Sequence, residues 1–228
     1  MVTPLILAAG IATGDPLPPF AGDYTLLRNG REVGSARIEY RPEGDGAWRV
    51  RSRLEASALV GALRFTALEE SRLRFVGGEP RSERFSGRRE QPLRRREQQL
   101  AFDWERAQVT VRDSRHGESR HALPGPALDP LAALLRAALA AKRGEAQFHY
   151  LEVNRGAPKQ RRGRIVGTRN EPVDGTEVPC ILIERLSEDR DRRSESCHAP
   201  ALGYAPVLIL YADDGDELVL RLLRAAED

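Results

Sequence analysis

Apolar and polar residues alternate with a period of two along most of this chain. Trp48, Val50, Ser52 and Leu54 share one face of a segment whose other face carries Arg49, Arg51, Arg53 and Glu55. Leu63, Phe65, Ala67, Glu69, Ser71, Leu73 and Phe75 stand in the same way against Arg64, Thr66, Glu70, Arg72 and Arg74. Leu100, Phe102 and Trp104 follow, then Val109 and Val111 beyond Arg106. Such alternation predicts strands with one buried and one wetted face, the habit of antiparallel sheet. Asn29-Gly30, Gly44-Asp45-Gly46, Gly77-Gly78 and Asp174-Gly175 supply turn signals between them.

One segment changes period. Leu131, Leu134, Leu135, Ala138 and Leu139 form a helical stripe, with Asp129 as a cap, Pro130 in the first position and Gly144 after Lys142 and Arg143. An amphipathic helix over about 129–143 is therefore expected to pack on a sheet face. In Cys180–Leu186, Val207–Tyr211 and Leu218–Leu223, apolar residues occupy both faces, so both sides need covering by protein, ligand or partner. Together these signals predict a mainly β fold. It is one curved antiparallel sheet, open or a half barrel, with a single helix packed on it, forming one domain over residues 15–228.

Glu69 and Ser71 break the apolar face of their strand. A buried, unpaired carboxylate is costly. Glu69 therefore lines an open cavity, pairs with an arginine, or lies at a bulge near Leu68-Glu69-Glu70 that flips the register.

The ends of the chain and its two cysteines bear on location. Residues 1–14 contain an apolar run, Leu5 to Ala12, with small residues at signal-peptidase spacing but no basic residue ahead of it. They read as a signal peptide lacking its basic region, with a buried N-terminal strand as the alternative. The run is too short to span a bilayer. A hairpin centred between Glu188 and Asp189 would set Cys180 directly opposite Cys197, close enough for a cross-strand disulfide. That bond needs an oxidising compartment, here the periplasm, whereas two unrelated buried thiols would not.

Composition adds exclusions. The 228 residues hold 36 Lys+Arg and 34 Asp+Glu, a formal charge of +2, and the only lysines are Lys142 and Lys159. A near-neutral chain without aromatics interleaved among its arginines is a poor nucleic-acid binder. Two basic stretches remain. Arg88, Arg89, Arg94, Arg95 and Arg96 flank Gln91-Pro92, and Arg155, Lys159, Arg161, Arg162, Arg164 and Arg169 run without an acid. The second could face anionic lipid headgroups or an acidic partner, or be a solvated strand face paired with glutamates.

Several short motifs resemble a known family. They are Phe20-Ala21-Gly22-Asp23-Tyr24, Asn29-Gly30-Arg31-Glu32-Val33-Gly34, Phe102-Asp103-Trp104, Asp129-Pro130-Leu131, Gly175 to Cys180, and Ala199 to Val207. In order and spacing they resemble the bacterial envelope proteins grouped as domain of unknown function 3108. Cys197-His198 departs from that pattern, standing where relatives carry a tryptophan ahead of the Ala-Pro step. The resemblance implies export and a curved antiparallel sheet with a helix, similar to the lipoprotein-carrier half-barrel. It brings no catalytic residues.

No reaction is written in the residues. His116 and His121 sit in a polar, turn-like stretch without further metal ligands, and no metal or cofactor is expected. Cys197 and His198 are strand neighbours pointing to opposite faces, a poor nucleophilic dyad. The expected role is therefore non-enzymatic: a periplasmic protein accepting a lipid-like or other apolar ligand in the helix-capped concave sheet. Its candidate lining is Trp48, Leu54, Phe65, Phe75, Phe102, Trp104, Leu135 and Leu139, which ordinary core packing also explains. The alternatives are an envelope structural or assembly factor acting through protein contacts, and then an enzyme.

Overall fold

Strand follows strand as the alternation predicts. A computed structural model describes residues 16–57, 64–91, 94–186 and 192–226. The N-terminal apolar run, Leu63 and the turn around residues 188 and 189 lie outside the described residues. The first eight strands are β1 (Phe20–Arg28), β2 (Arg31–Pro42), β3 (Ala47–Ser57), β4 (Arg64–Val76), β5 (Glu79–Gln91), β6 (Arg94–Asp103), β7 (Gln108–Asp113) and β8 (Gly117–Ala122). A short β9 (Ala127–Leu128) leads into helix α1 (Pro130–Arg143). The chain then returns through β10 (Gln147–Glu152), β11 (Lys159–Val173), β12 (Thr176–Leu186), β13 (Arg192–Ala199), β14 (Ala205–Asp213) and β15 (Asp216–Ala225).

These strands form one sheet in the order β8-β7-β6-β5-β4-β3-β2-β1-β15-β14-β13-β12-β11-β10-β9. Two meanders meet where β15 pairs with β1, and every ladder is antiparallel except β9 on β10. The arms curl towards each other without closing by a ladder. β9 lies against β5, and Gln98 of β6 donates a hydrogen bond to the Asn154 carbonyl just after β10. Helix α1 lies between the arms, against β3, β4 and β5 on one side and β9, β10, β12 and β13 on the other.

The helix is anchored at its start by a buried carboxylate. One oxygen of Asp129 accepts from the backbone N–H groups of Leu131 and Ala132, at 2.9 and 3.0 Å. The other accepts from Ser71 Oγ on β4 and Ser82 Oγ on β5, each at 2.6 Å. All three side chains are fully buried. Burial raises the Asp129 pKa above its ordinary value even though these four donors oppose the shift. Ser71, an oddity in the sequence pattern, is thus a ligand of the helix cap. At the other end Gly144 takes a left-handed conformation (φ 65°) that closes the last turn, and Arg143 donates to the Gly78 carbonyl in the β4–β5 turn at 2.6 Å. Beneath the helix, Trp48, Val50, Leu73, Leu100, Phe102, Leu135 and Leu139 form a closed core.

A second core explains the strands that are apolar on both faces. β11 and β12 are long, and the turn between them folds back so that Asp174 N–H bonds the Leu223 carbonyl of β15, 2.9 Å away. Val173, Val178 and Cys180 thereby pack with Leu208, Leu210 and Val219 of β14 and β15. Glu171, 4 % exposed, enters with them, paired with Arg169 and, at 3.5 Å, with Arg221. The missing cover is thus supplied by the chain's own hairpin. Cys180 and Cys197 are joined there by a disulfide with Cα atoms 5.5 Å apart. The register differs from the expected one by two residues: Cys197 lies opposite Leu182, and Ile181 opposite His198. The cysteines are therefore diagonal neighbours on one face rather than direct partners.

His198 is fully buried. Its Nδ1 stands 3.0 Å from the Tyr204 carbonyl, which can only accept, so Nδ1 carries the proton and Nε2 accepts from Ser196 Oγ at 2.9 Å. Burial pushes its pKa down from 6.5 to about 4.

Asp129→Ala removes the cap and strands two buried hydroxyls, and urea denaturation is expected to show a loss of about 3 kcal/mol; Asp129→Asn should lose less. For His198 the folded pKa lies below the unfolded one, so its contribution is complete above pH 6.5 and is lost as pH falls towards 4. The loss reaches about 3 kcal/mol. Unfolding curves of the wild type and His198→Gln, taken across that window, should converge at acid pH.

Candidate ligand-binding cleft

The concave side of the sheet is longer than its helix can fill. The inner face of β4 shows the boundary. Ser71, Leu73 and Phe75 lie with the helix and its core, whereas Phe65, Ala67 and Glu69 line an open cleft of about 970 Å³. β3 divides in the same way, with Trp48 and Val50 in the core and Ser52 and Leu54 in the cleft. No residue of α1 lines it. The helix therefore plugs one part of the concavity and leaves the other open, rather than capping the cleft itself.

The cleft wall has two sides of different character. Leu26 of β1, Leu218 and Leu220 of β15, and Ile209 of β14 continue the apolar surface begun by Leu54 and Phe65. Facing them, β10 to β13 and the loop after β10 present Arg155, Lys159, Arg161, Arg185, Arg192 and Arg193. A seventh cation, Arg89, sits on the apolar side and is bound to Glu69 at 2.9 Å. That pairing resolves the Glu69 question. The β3–β4 ladder runs in unbroken register past residues 68 to 70, so of the three alternatives the register-flipping bulge is absent there, and the cavity and the arginine pairing both hold. Glu69 keeps its inward direction because it borders a solvated cleft and has an arginine partner.

Glu152 organises the cationic side. It is 4 % exposed and takes Arg185 Nη1 at 3.1 Å and Arg161 Nε at 3.6 Å on one oxygen. For Arg185, burial opposes the charge, but Glu152 and the Tyr150 hydroxyl outweigh it and hold its pKa above the ordinary guanidinium value. Burial, with the Glu152 charge beside it, raises the Tyr150 phenol. Arg192 pairs with Asp213 at 3.2 Å, and Arg193 with Glu217 at 3.1 Å. Among the described residues Arg155 and Lys159, both exposed, enter no ion pair.

The structure sorts the sequence candidates. Leu54 and Phe65 line the cleft. Trp48, Phe102, Leu135 and Leu139 are buried core, Phe75 packs on it, and Trp104 stacks on Phe102 with ring centres 5.7 Å apart. The basic stretch from Arg155 is split by strand alternation. Arg155, Lys159 and Arg161 reach the cleft, whereas Arg162 and Arg164 occupy intervening positions, with Arg164 bound to Glu184. The earlier cluster is interleaved with acids, Arg88 on Glu90 and Arg95 on Glu97. His116 is exposed and meets Asp113 at 3.0 Å. Sequence reasoning passed over Leu26, Glu152, Arg185, Ile209, Leu218 and Leu220. Their strands read as doubly apolar or ordinary, and only the curl of the arms tells which side faces the cleft.

A family model described as protein of unknown function (DUF3108) matches residues 23–222. The chain belongs to this family. The DUF3108 match runs from β1 into β15 and so includes every residue that lines the cleft. A comparison with curated proteins finds no match. Among solved structures, the DUF3108 chain is similar to a beta-barrel-like protein of domain of unknown function DUF1849 from Brucella abortus. The TM-score is 0.64 at 9% identity, over 93% of this chain and 99% of that one. At that identity the likeness concerns the fold alone, and it agrees with a sheet curled almost to a barrel. No helix among the described residues is long and apolar enough to cross a membrane.

Glu152 is the shared counter-charge of two guanidiniums. Glu152→Gln is expected to lower stability by about 2 kcal/mol in dilute buffer, and by less as added salt screens the arginines left behind. Urea midpoints at low and high ionic strength check this.

Proposed function

We propose that this protein is an exported, non-enzymatic binding protein that accepts a lipid-like or other apolar ligand in the cleft beside α1. The observation that carries the reading is the uncovered stretch of inner face. Leu54, Phe65, Ile209 and Leu220, all half-buried, line a concavity of about 970 Å³ that the helix does not reach. Apolar surface left in contact with water costs about 25 cal/mol per Å², and a cleft of this volume suits a small-molecule ligand. The Cys180–Cys197 disulfide supports an oxidising compartment such as the periplasm.

A neutral, environment-sensitive naphthylamine dye should be taken up with enhanced, blue-shifted emission, and native mass spectrometry of protein purified from an exporting host should show a co-purifying small molecule. Leu54→Asp should abolish dye uptake, while Trp104→Phe, outside the cleft, should not. Absence of uptake by the wild type would sink the ligand reading. Capture of an envelope protein without dye uptake would favour an assembly factor instead.

A further inference from the structure

The charge on the cleft wall is segregated, and that asymmetry speaks to what the cleft holds. Six cations stand on the side built by β10 to β13, and the acids that line the cleft beside them are Glu152 and Asp213. Glu152 is spread over two arginines, and Asp213 is taken by Arg192. Arg155 and Lys159 have no ion pair among the described residues, and they sit where β11 begins, with Lys159 directly opposite Glu152. Clustered like charges repel one another, and low-dielectric walls strengthen that field. An anion placed among them is attracted by all of them and can accept charge-assisted hydrogen bonds from guanidinium and ammonium groups. On the facing side the one lining cation, Arg89, is taken by Glu69, and Leu54, Phe65, Ile209 and Leu220 present a surface that suits an alkyl chain.

We infer that the cleft binds an anionic amphiphile, its head group held by Arg155 and Lys159 above the Arg161–Glu152–Arg185 cluster and its alkyl chain laid over Leu54, Phe65, Ile209 and Leu220. This rests on the cleft being the ligand site, and it adds the chemical class. A carboxylate and a phosphate ester present the same recognisable feature, an oxyanion on an apolar tail. The free fatty acid and the phosphorylated lipid are therefore the two sources to tell apart.

The test uses displacement of the neutral dye by four compounds with the same twelve-carbon chain: dodecanoate, dodecyl phosphate, dodecanol and dodecylammonium. At least one anion should displace the dye at a concentration about tenfold or more below that of the alcohol, and the ammonium should be weakest. Tighter binding of the carboxylate points to a free fatty acid, and tighter binding of the phosphate to a lipid headgroup. Added salt should narrow the gap. In Arg155→Glu/Lys159→Glu, whose sites are exposed and unpaired, the anion's advantage over dodecanol, each measured by displacement from that variant's own dye complex, should fall to nearly nothing. The exchange Arg155→Lys/Lys159→Arg should keep most of it. Anions that bind no better than dodecanol, with dye uptake intact, overturn the inference and leave the ligand reading standing. So does an advantage that survives the Glu/Glu variant. Failure of the wild type to take up dye overturns both.

Discussion

The Asp129 carboxylate is the point on which the inner architecture turns. It is at once the cap of α1 and the acceptor for hydroxyls on two adjacent strands, so the helix begins at a defined place on β4 and β5. From there fourteen residues of helix extend about 21 Å. The stretch of β4 from Ser71 to the turn at Gly78, where Arg143 is bound, spans about 23 Å. The lengths match, and the helix is used up when the turn is reached. Everything on the other side of Ser71 along the same inner face, beginning with Glu69, has no helix above it. The cleft is therefore a consequence of one short helix on a long strand, anchored at a buried carboxylate near the middle of that strand.

The same shortage of cover arises on the second arm and is met differently. β14 and β15 are apolar on both faces, and a sheet with one helix has nothing to place on the outer one. The β11–β12 hairpin folds back over it, carrying Val173, Val178 and Cys180 into a second core. The disulfide ties that hairpin to β13, and Glu171 is buried there with arginine partners. The bond thus fastens an extension that is otherwise held by the β12–β13 ladder, the Asp174–Leu223 hydrogen bond, the Glu171–Arg221 pair and the apolar contacts of the second core. Small cores of this kind gain most from a covalent link.

Charge follows from the two-residue period. On the solvated face arginines and glutamates alternate across neighbouring strands, as with Arg51 between Glu70 and Glu39, and Arg74 with Glu83. Such exposed pairs contribute little individually, but they leave the surface close to neutral and the chain near a net charge of +2. Where cations turn towards the cleft, acids are fewer: Arg161 and Arg185 share Glu152, and Arg155 and Lys159 have no ion pair among the described residues. The imbalance is local to the cleft and does not appear in the overall count.

Much of this was legible from residue order. Strands, faces, the helix with both of its caps, and the cysteine pairing depend on patterns within one element or one hairpin, at most 17 residues apart, where backbone geometry leaves few choices. Short-range signals were weaker at two points. The β12–β13 register lies two residues from the one that the polar stretch between the cysteines predicts, because polarity alone does not fix a turn centre. Glu69 was ambiguous because a carboxylate on an inward face is equally consistent with a bulge or a cavity until its surroundings are known. Only the tertiary structure decided which part of each inward face is core and which is cleft, so that Leu54 and Phe65 separate from Trp48 and Phe75 on the same strands. That division depends on where the two arms and the helix meet, an arrangement of residues up to nearly two hundred positions apart along the chain, and no local period encodes it.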